Sequence, residues 1–127
     1  TFPGSPMIYY GDETGMEGAA DPFNRRTYPW GHEDRALMDW FRWLGQLRKD
    51  RCSLRRGELR WLAAEGPLLA YARETFDEAT VTLVNAGPEE RTVSLPGEGF
   101  RDLRTGEAVP GEEASVPPYC ARLLGRG

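Results

Sequence analysis

The sequence predicts a mainly β fold, in which an antiparallel β-sandwich is preceded by one strand–loop–helix unit. Three features indicate this: a continuous apolar run near the start, a stripe of apolar residues at helical spacing, and a series of short alternating segments separated by Gly and Pro. The pattern changes near Arg51, so we expect two domains, residues 1–51 and residues 52–127. A chain of 127 residues can build one ordinary core or two small ones.

The apolar run is PMIYY at residues 6–10, and glycine lies on either side of it. Continuous rather than alternating hydrophobicity is typical of a strand that is buried on both faces, as in a parallel sheet covered by helices. One strand–helix unit cannot bury both faces of such a strand. We therefore expect residues 6–10 to pair with another copy of the chain, to pack on the sandwich or to be disordered.

An amphipathic helix is predicted from Glu33 towards Arg51. Acidic residues precede or begin this segment and basic residues end it, which complements the helix dipole. Gly45 lies in its interior, where glycine is unfavourable, and we interpret it as a sign of close packing. The apolar stripe of one helical face consists of Leu37, Trp40, Phe41, Leu44 and Leu47.

The second half of the chain predicts short strands. Threonine and serine alternate with valine and leucine, and this period of two is typical of half-buried antiparallel strands. The breaks between them contain Gly-Pro, Asn-Ala-Gly-Pro and Pro-Gly sequences that favour turns. Such strands form a small sandwich with meander or Greek-key connections. The predicted strands are residues 59–62, 68–73, 80–85, 92–95, 100–103, 114–116 and 119–124.

Composition narrows the classes of partner. Lys and Arg number 16 against 20 Asp and Glu, giving a net charge of −4, so neither nucleic acid nor an anionic membrane is an expected partner. No apolar stretch approaches the roughly 20 residues of a membrane span. Cys52 and Cys120 are expected to be unpaired thiols, and the single histidine, His32, is expected at the entry of the helix rather than in a metal site. Three tryptophans (Trp40, Trp43 and Trp61) are interpreted as core residues rather than as a stacking platform.

The loop between residues 11 and 31 carries the densest group of reactive side chains. Carboxylates, guanidinium groups and aromatic rings that follow a buried strand are typical of a sugar site, because rings stack on the sugar and charged groups bind its hydroxyls. The alternative is structural: the acids cap turns and the arginines hold the loop through ion pairs. The adjacent Asp12 and Glu13 are not expected to be a catalytic pair, since sequence neighbours point in different directions. The candidate side chains are Asp12, Glu13, Glu17, Asp21, Arg25, Arg26, Tyr28 and Trp30.

Three segments carry a family resemblance: GSPMIYYGDE at residues 4–13, DPFNRR at residues 21–26 and Pro-Trp at residues 29–30. Together they resemble the last barrel strand and the following loop of the α-amylase family of glycoside hydrolases, above all its neopullulanase and cyclomaltodextrinase types. The predicted helix resembles the eighth barrel helix, and the region from Leu54 resembles the family's C-terminal β-domain. The resemblance implies a C-terminal fragment, with an antiparallel β-sandwich C-terminal domain preceded by the last strand–loop–helix unit of a (β/α)8 barrel.

The resemblance also assigns roles to residues. The family's catalytic carboxylates lie at the ends of barrel strands four, five and seven, which would precede Thr1, so no catalytic residue is expected in this chain. Asp21 and Arg25 are similar to the pair that binds a glucose unit. Tyr10 and Glu13 match the motif of strand eight and are expected to shape the pocket.

The resemblance implies the C-terminal part of a retaining enzyme that hydrolyses α-1,4 bonds in α-glucans, with α-1,6 bonds as the open alternative; this part is expected to be inactive on its own. No cofactor is expected in this chain, with calcium a candidate in the complete enzyme. The expected partners are an α-glucan and, through residues 6–10, a second copy; a cytoplasmic location is favoured for this type of enzyme. The competing interpretation is a stand-alone carbohydrate-binding or scaffold β-sandwich module.

Overall fold

The computed structural model describes residues 1–127 and divides into two compact units. One unit is Phe2–Asp50; the other comprises Thr1 and Arg51–Gly127. The first unit is helix and loop, and the second contains every strand of the chain. No helix in either unit combines the length and the apolar character that crossing a bilayer requires.

The Phe2–Asp50 unit is built on one long helix, α1 (Arg35–Asp50), preceded by a single 3-10 turn at Asp12–Thr14. Asp34 caps α1, because its Oδ1 accepts a hydrogen bond of 3.0 Å from the Leu37 N–H. Arg48 and Lys49 occupy the last turn, as the dipole argument predicts. The predicted helix is therefore present, beginning two residues after Glu33.

Residues 6–10 form no strand, and the prediction of a strand there is wrong for this structure. Met7 is 82% exposed, Ile8 57% and Tyr9 61%. A strand that is buried on both faces needs hydrogen-bonded neighbours on either side, and the Phe2–Asp50 unit contains no strand that could pair with it. Pairing of this segment with a second copy of the chain stays a prediction.

Gly45 does not mark close packing. A Cβ atom built at this position meets no heavy atom within 4 Å, so the glycine faces open space on α1. The interpretation made from the sequence is wrong here, because glycine in a helix reports only that a side chain is absent. The residues around Gly45 in the sequence do not determine whether another element packs against that face of α1.

The Arg51–Gly127 unit is an antiparallel β-sandwich, as predicted. One sheet has five strands in the order β1-β2-β3-β7-β5, and the other pairs β4 with β6. All seven predicted strands are present within a few residues of their expected positions. A short helix that was not predicted, α2 (Cys52–Arg56), precedes them. The strands are β1 (Glu58–Glu65), β2 (Leu68–Glu74), β3 (Ala79–Asn85), β4 (Arg91–Ser94), β5 (Arg101–Asp102), β6 (Glu113–Val116) and β7 (Cys120–Arg126).

The sandwich core lies between the two sheets and follows the period of two along the strands. On β3, for example, Ala79, Val81 and Leu83 enter the core, with Phe100 among the other residues that fill it. The opposite face of β3 carries Thr80, which bonds to Ser53 of α2 through hydroxyls 2.7 Å apart. Helix α2 therefore packs on the outer face of the larger sheet.

Two predictions about individual side chains have different outcomes. Cys52 and Cys120 are both free, as expected. The interpretation of Trp61 as a core residue is wrong: it is 52% exposed. Trp61 pairs across the strands with Tyr71, whose side chain lies on the face of β2 opposite the core, and the two ring centroids are 5.7 Å apart. Alternating hydrophobicity alone could not assign Trp61 to a face, because a β-bulge follows it in β1.

A buried ion pair between Asp102 and Arg122 predicts a pH dependence of stability. Burial raises the pKa of Asp102, but hydrogen bonds from the Arg104 N–H, the Arg122 guanidinium and the Thr105 N–H outweigh it and leave this pKa below its usual value. The Arg122 Nε lies 3.0 Å from the Asp102 Oδ2. A lowered pKa in the folded state stabilises the protein above the unfolded value, and this contribution is lost as pH falls through the folded value.

We therefore expect Asp102→Asn to lower the free energy of unfolding by roughly 1.5–3 kcal/mol at neutral pH. The difference between the two proteins should be constant above about pH 5 and should shrink below about pH 4. Urea unfolding measured across this range checks the prediction. A difference that grows on acidification would contradict it.

Candidate functional site

The loop that carries the candidate residues is anchored at its start by tight backbone geometry. Gly11 has a φ of 80°, which favours glycine, and a Cβ built on it would require the Met16 side chain, 2.5 Å away at its Sδ, to move. Asp12 accepts a hydrogen bond of 3.2 Å from the Tyr9 N–H through its Oδ2. At Asp12 the structural interpretation holds, because its carboxylate caps a turn.

Asp21 and Arg25 are brought together as a two-point ion pair. The Arg25 Nε lies 2.9 Å from the Asp21 Oδ1, and Arg25 NH2 donates to the Asp21 Oδ2 at 3.3 Å. Both side chains remain accessible, with 75% of Arg25 and 60% of Asp21 exposed. The pair thus presents free donors on the guanidinium and free lone pairs on the carboxylate to solvent.

Tyr10 reaches the same stretch of the loop. Its hydroxyl accepts a hydrogen bond from the Arg26 N–H, and its ring stacks on Tyr9 with centroids 5.7 Å apart. Gly18 lies beneath it, since a Cβ added there would be 4.0 Å from the Tyr10 ring. Tyr10 therefore holds the backbone at Arg26, next to Arg25.

Glu13 lies elsewhere on the unit. It sits half-buried on the 3-10 turn and lines a shallow hollow of about 200 Å³ with Ile8, Met38, Phe41 and Arg42. No hydrogen bond or ion pair links Glu13 to Asp21 or Arg25. The structure thus places Glu13 beside α1, without a direct bond to Asp21 or Arg25.

Two aromatic candidates of the loop, to which the family resemblance assigned no role, lie in contact with each other. Tyr28 and Trp30 have ring centroids 4.6 Å apart, and Trp30 is 80% exposed. Partial burial raises the pKa of Tyr28, and the nearby carboxylates of Glu33 and Glu13 raise it further, so its hydroxyl stays protonated at neutral pH. The sequence signal was available, since an exposed aromatic in a polar loop is the residue type that stacks on a sugar face.

The loop also contains one buried acceptor without a partner, the side-chain oxygen of Asn24. A hydroxyl group could donate a hydrogen bond to this oxygen. The chain offers no comparable site for a metal ion. No group of three or more His, Cys, Asp or Glu side chains in the chain is arranged so that it could hold one. The calcium ion that the family resemblance allows therefore has no ligand set among these residues.

Comparison with curated proteins relates the chain to amylopullulanases, cyclomaltodextrinases and neopullulanases. It is 33% identical to an amylopullulanase of Thermoanaerobacter thermohydrosulfuricus over 91% of this chain and 9% of the relative. It is 37% identical to a cyclomaltodextrinase of Geobacillus thermopakistaniensis over 94% of this chain and 22% of the relative. It is 36% identical to neopullulanase 2 of Thermoactinomyces vulgaris over the whole chain and 24% of the relative. The chain thus spans less than a quarter of the length of these relatives.

Solved structures lead to the same group. An α-amylase of Geobacillus thermoleovorans, complexed with acarbose, superposes with a TM-score of 0.79 at 28% identity. This match covers 91% of the present chain and 28% of the α-amylase. No protein-family model matches the chain. The similarity therefore rests on individual relatives, and it includes both the loop region and the sandwich.

Proposed function

Since the chain belongs to the α-amylase family of glycoside hydrolases, we propose that it forms the C-terminal part of a retaining enzyme that hydrolyses α-glucans. The complete enzyme cleaves α-1,4 bonds, with α-1,6 bonds as the alternative. The catalytic carboxylates belong to the part of the barrel that the family places before this chain. The contribution of residues 1–127 is to bind and position substrate, and the sandwich completes the fold.

The observation that carries this proposal is the accessible ion pair of Asp21 and Arg25. Its two contacts, 2.9 and 3.3 Å long, hold both groups in one orientation before any ligand arrives. A sugar hydroxyl both donates and accepts, so it can bond to the carboxylate and the guanidinium at once. Exposed charges of opposite sign at this spacing contribute little to stability, which favours a role in binding over a purely structural one.

The neighbouring groups support the same role. Tyr10 holds the backbone at Arg26, and the exposed ring of Trp30 offers a flat apolar surface to one face of a glucose unit. In a retaining mechanism the sugar must be held while a covalent glycosyl intermediate forms and is hydrolysed. These residues position the glucose unit, and the protons and the nucleophile come from the catalytic part.

The proposal extends to partner and location. The unpaired apolar residues at 6–10 are proposed to associate with a second copy of the chain when the neighbouring barrel strands are absent, because three of them are more than half exposed. A cytoplasmic location, which the neopullulanase and cyclomaltodextrinase types favour, is part of the same proposal.

The isolated chain is expected to be inactive. Purified 1–127 should release no reducing sugar from soluble starch, maltodextrin or pullulan above the level of a buffer blank, because the family's catalytic carboxylates belong to the earlier strands of the barrel. Turnover that rises with protein concentration would contradict the proposal. Maltooligosaccharide binding much tighter than millimolar would instead favour the stand-alone module, since Asp21 and Arg25 alone should hold a sugar weakly.

A further inference from the structure

Phe76 is an exposed aromatic ring for which the fold has no structural use. It lies in the turn between β2 and β3 and is 107% exposed, which means that its side chain is at least as accessible to solvent as in an extended peptide. The turn is closed by its neighbours: the Thr75 N–H donates to the Glu78 carbonyl at 2.8 Å, and the Thr75 hydroxyl donates to the Asp77 carboxylate at 3.1 Å. A serine or asparagine at position 76 would serve the turn equally well and would expose no apolar surface.

This ring borders a groove of about 630 Å³ at the same end of the larger sheet. The polar wall of the groove is formed by Arg56, Glu58, Arg60 and Glu74. Arg60 and Glu74 make a two-point pair, with the Arg60 Nε 3.0 Å from the Glu74 Oε2 and NH2 donating to Oε1 at 3.2 Å. We call these residues together with Phe76 the Phe76 groove; its volume lies within the range of about 300–1,000 Å³ that ligand sites occupy.

The charges of the groove limit what it can bind. Two guanidinium groups face two carboxylates, so the wall carries no net charge and attracts neither anions nor cations strongly. Glu58 and Glu74 are direct cross-strand partners, and Arg60 offsets the repulsion between them. Both donors and acceptors remain along the wall, since Arg60 uses only part of its five N–H groups on Glu74.

From these observations we propose that the Phe76 groove is a second carbohydrate-binding site, separate from the loop that contains Asp21 and Arg25. A neutral polyhydroxylated ligand matches a wall of balanced donors and acceptors, and the ring of Phe76 stacks on the apolar face of one sugar unit. The ligand is an oligosaccharide of a few units; that its units are α-linked glucose rests on the proposed function. Through this site the sandwich binds a polymeric substrate.

The test is a titration of the full chain with maltohexaose, followed by NMR of the isotopically labelled protein, with cellohexaose as the β-linked comparison. Phe76→Ala removes the ring, and Arg60→Met removes the hydrogen-bonding head while keeping an apolar stem. Tyr119→Asn is the matched control, because Tyr119 is also exposed (74%) and has a φ of 50° that asparagine tolerates. The β3–β7 register places Tyr119 at the opposite end of the sheet from Phe76.

We expect the unmodified chain to bind maltohexaose with a dissociation constant in the millimolar range and with shifts around residues 56–60 and 74–76. Phe76→Ala should weaken binding roughly tenfold, Arg60→Met should weaken it severalfold, and Tyr119→Asn should leave it unchanged. Equal binding by Phe76→Ala and the unmodified chain, or no saturable binding of either hexaose, overturns the inference. Binding of cellohexaose alone supports the groove and counts against the proposed α-glucan substrate. The starch assay above does not depend on Phe76, so the two proposals can fail separately.

Discussion

Replacing Asn85 by leucine is expected to lower the free energy of unfolding of the Arg51–Gly127 unit by about 3 kcal/mol. Asn85 is 1% exposed at the end of β3, and its amide donates to the carbonyls of Glu89 (2.7 Å), Val116 (3.1 Å) and Pro117 (3.1 Å). Its Oδ1 accepts from the Gly87 N–H at 3.0 Å. One side chain thus ties the larger sheet to the end of β6 in the smaller sheet and to the loop that precedes β4.

The cost is large because the partners stay buried when the amide is gone. Leucine has a similar volume but leaves backbone carbonyls and one N–H without a hydrogen bond, and each such group costs about 1–3 kcal/mol. Thr82→Val on the same strand is the matched control. The Thr82 hydroxyl is buried without a hydrogen-bond partner, so its removal should cost nothing or should stabilise the unit by up to about 1 kcal/mol.

Chemical unfolding of the three proteins, followed by tryptophan fluorescence, measures both effects. Asn85→Leu should move the midpoint to lower denaturant at an unchanged slope, while Thr82→Val should not lower it. Two variants that unfold at the same midpoint would show that the amide of Asn85 does not join the sheets.

The strands could be predicted from the sequence because their signal is local. In β3, threonine and valine or leucine alternate residue by residue, and the Asn85-Ala86-Gly87-Pro88 stretch ends the strand with turn residues. Both features depend on neighbours within a few positions along the chain. The sequence does not reveal, however, that Asn85 also reaches residues near position 116, since that contact depends on how two sheets stack.

The failed predictions have a common physical cause. Residues 6–10 are apolar on both faces, which is the pattern of a strand enclosed by neighbours, but a strand needs partners that the Phe2–Asp50 unit does not contain. Gly45 and Trp61 were likewise interpreted through contacts that local sequence cannot supply. A hydrophobic pattern shows which secondary structure or packing a segment is suited to. Whether that structure forms depends on the neighbouring segments with which it must pack or pair.

In the candidate site, too, some features could be predicted from the sequence and others depend on contacts between distant residues. Asp21 and Arg25 were expected to act together only through the family resemblance, and the structure shows their ion pair directly. The separation of Glu13 from that pair depends on the path of the loop, which the sequence leaves open. Tyr28 and Trp30 were visible as residue types, but their contact at 4.6 Å was not.

The effect of Asp21 on hydrolytic activity can be measured in a chimera with a related enzyme. The segment of the Geobacillus thermopakistaniensis cyclomaltodextrinase that matches this chain, about 22% of that enzyme, is replaced by residues 1–127. In this chimera Asp21→Ala should lower kcat/KM for cyclomaltodextrin roughly a hundredfold, because a charged hydrogen-bond acceptor for the sugar is lost while Arg25 is left without its partner. Glu90→Ala is the matched control, since it removes an exposed carboxylate outside the candidate loop and should change kcat/KM little.

The central claim is that residues 1–127 complete an α-glucan hydrolase, and kcat/KM of the chimera for cyclomaltodextrin tests it most directly. The chimera should hydrolyse cyclomaltodextrin with a kcat/KM comparable to that of the intact relative. The relative truncated before the replaced segment should be inactive. A chimera that is monodisperse and unfolds cooperatively, yet is no more active than the truncated enzyme, would contradict the claim.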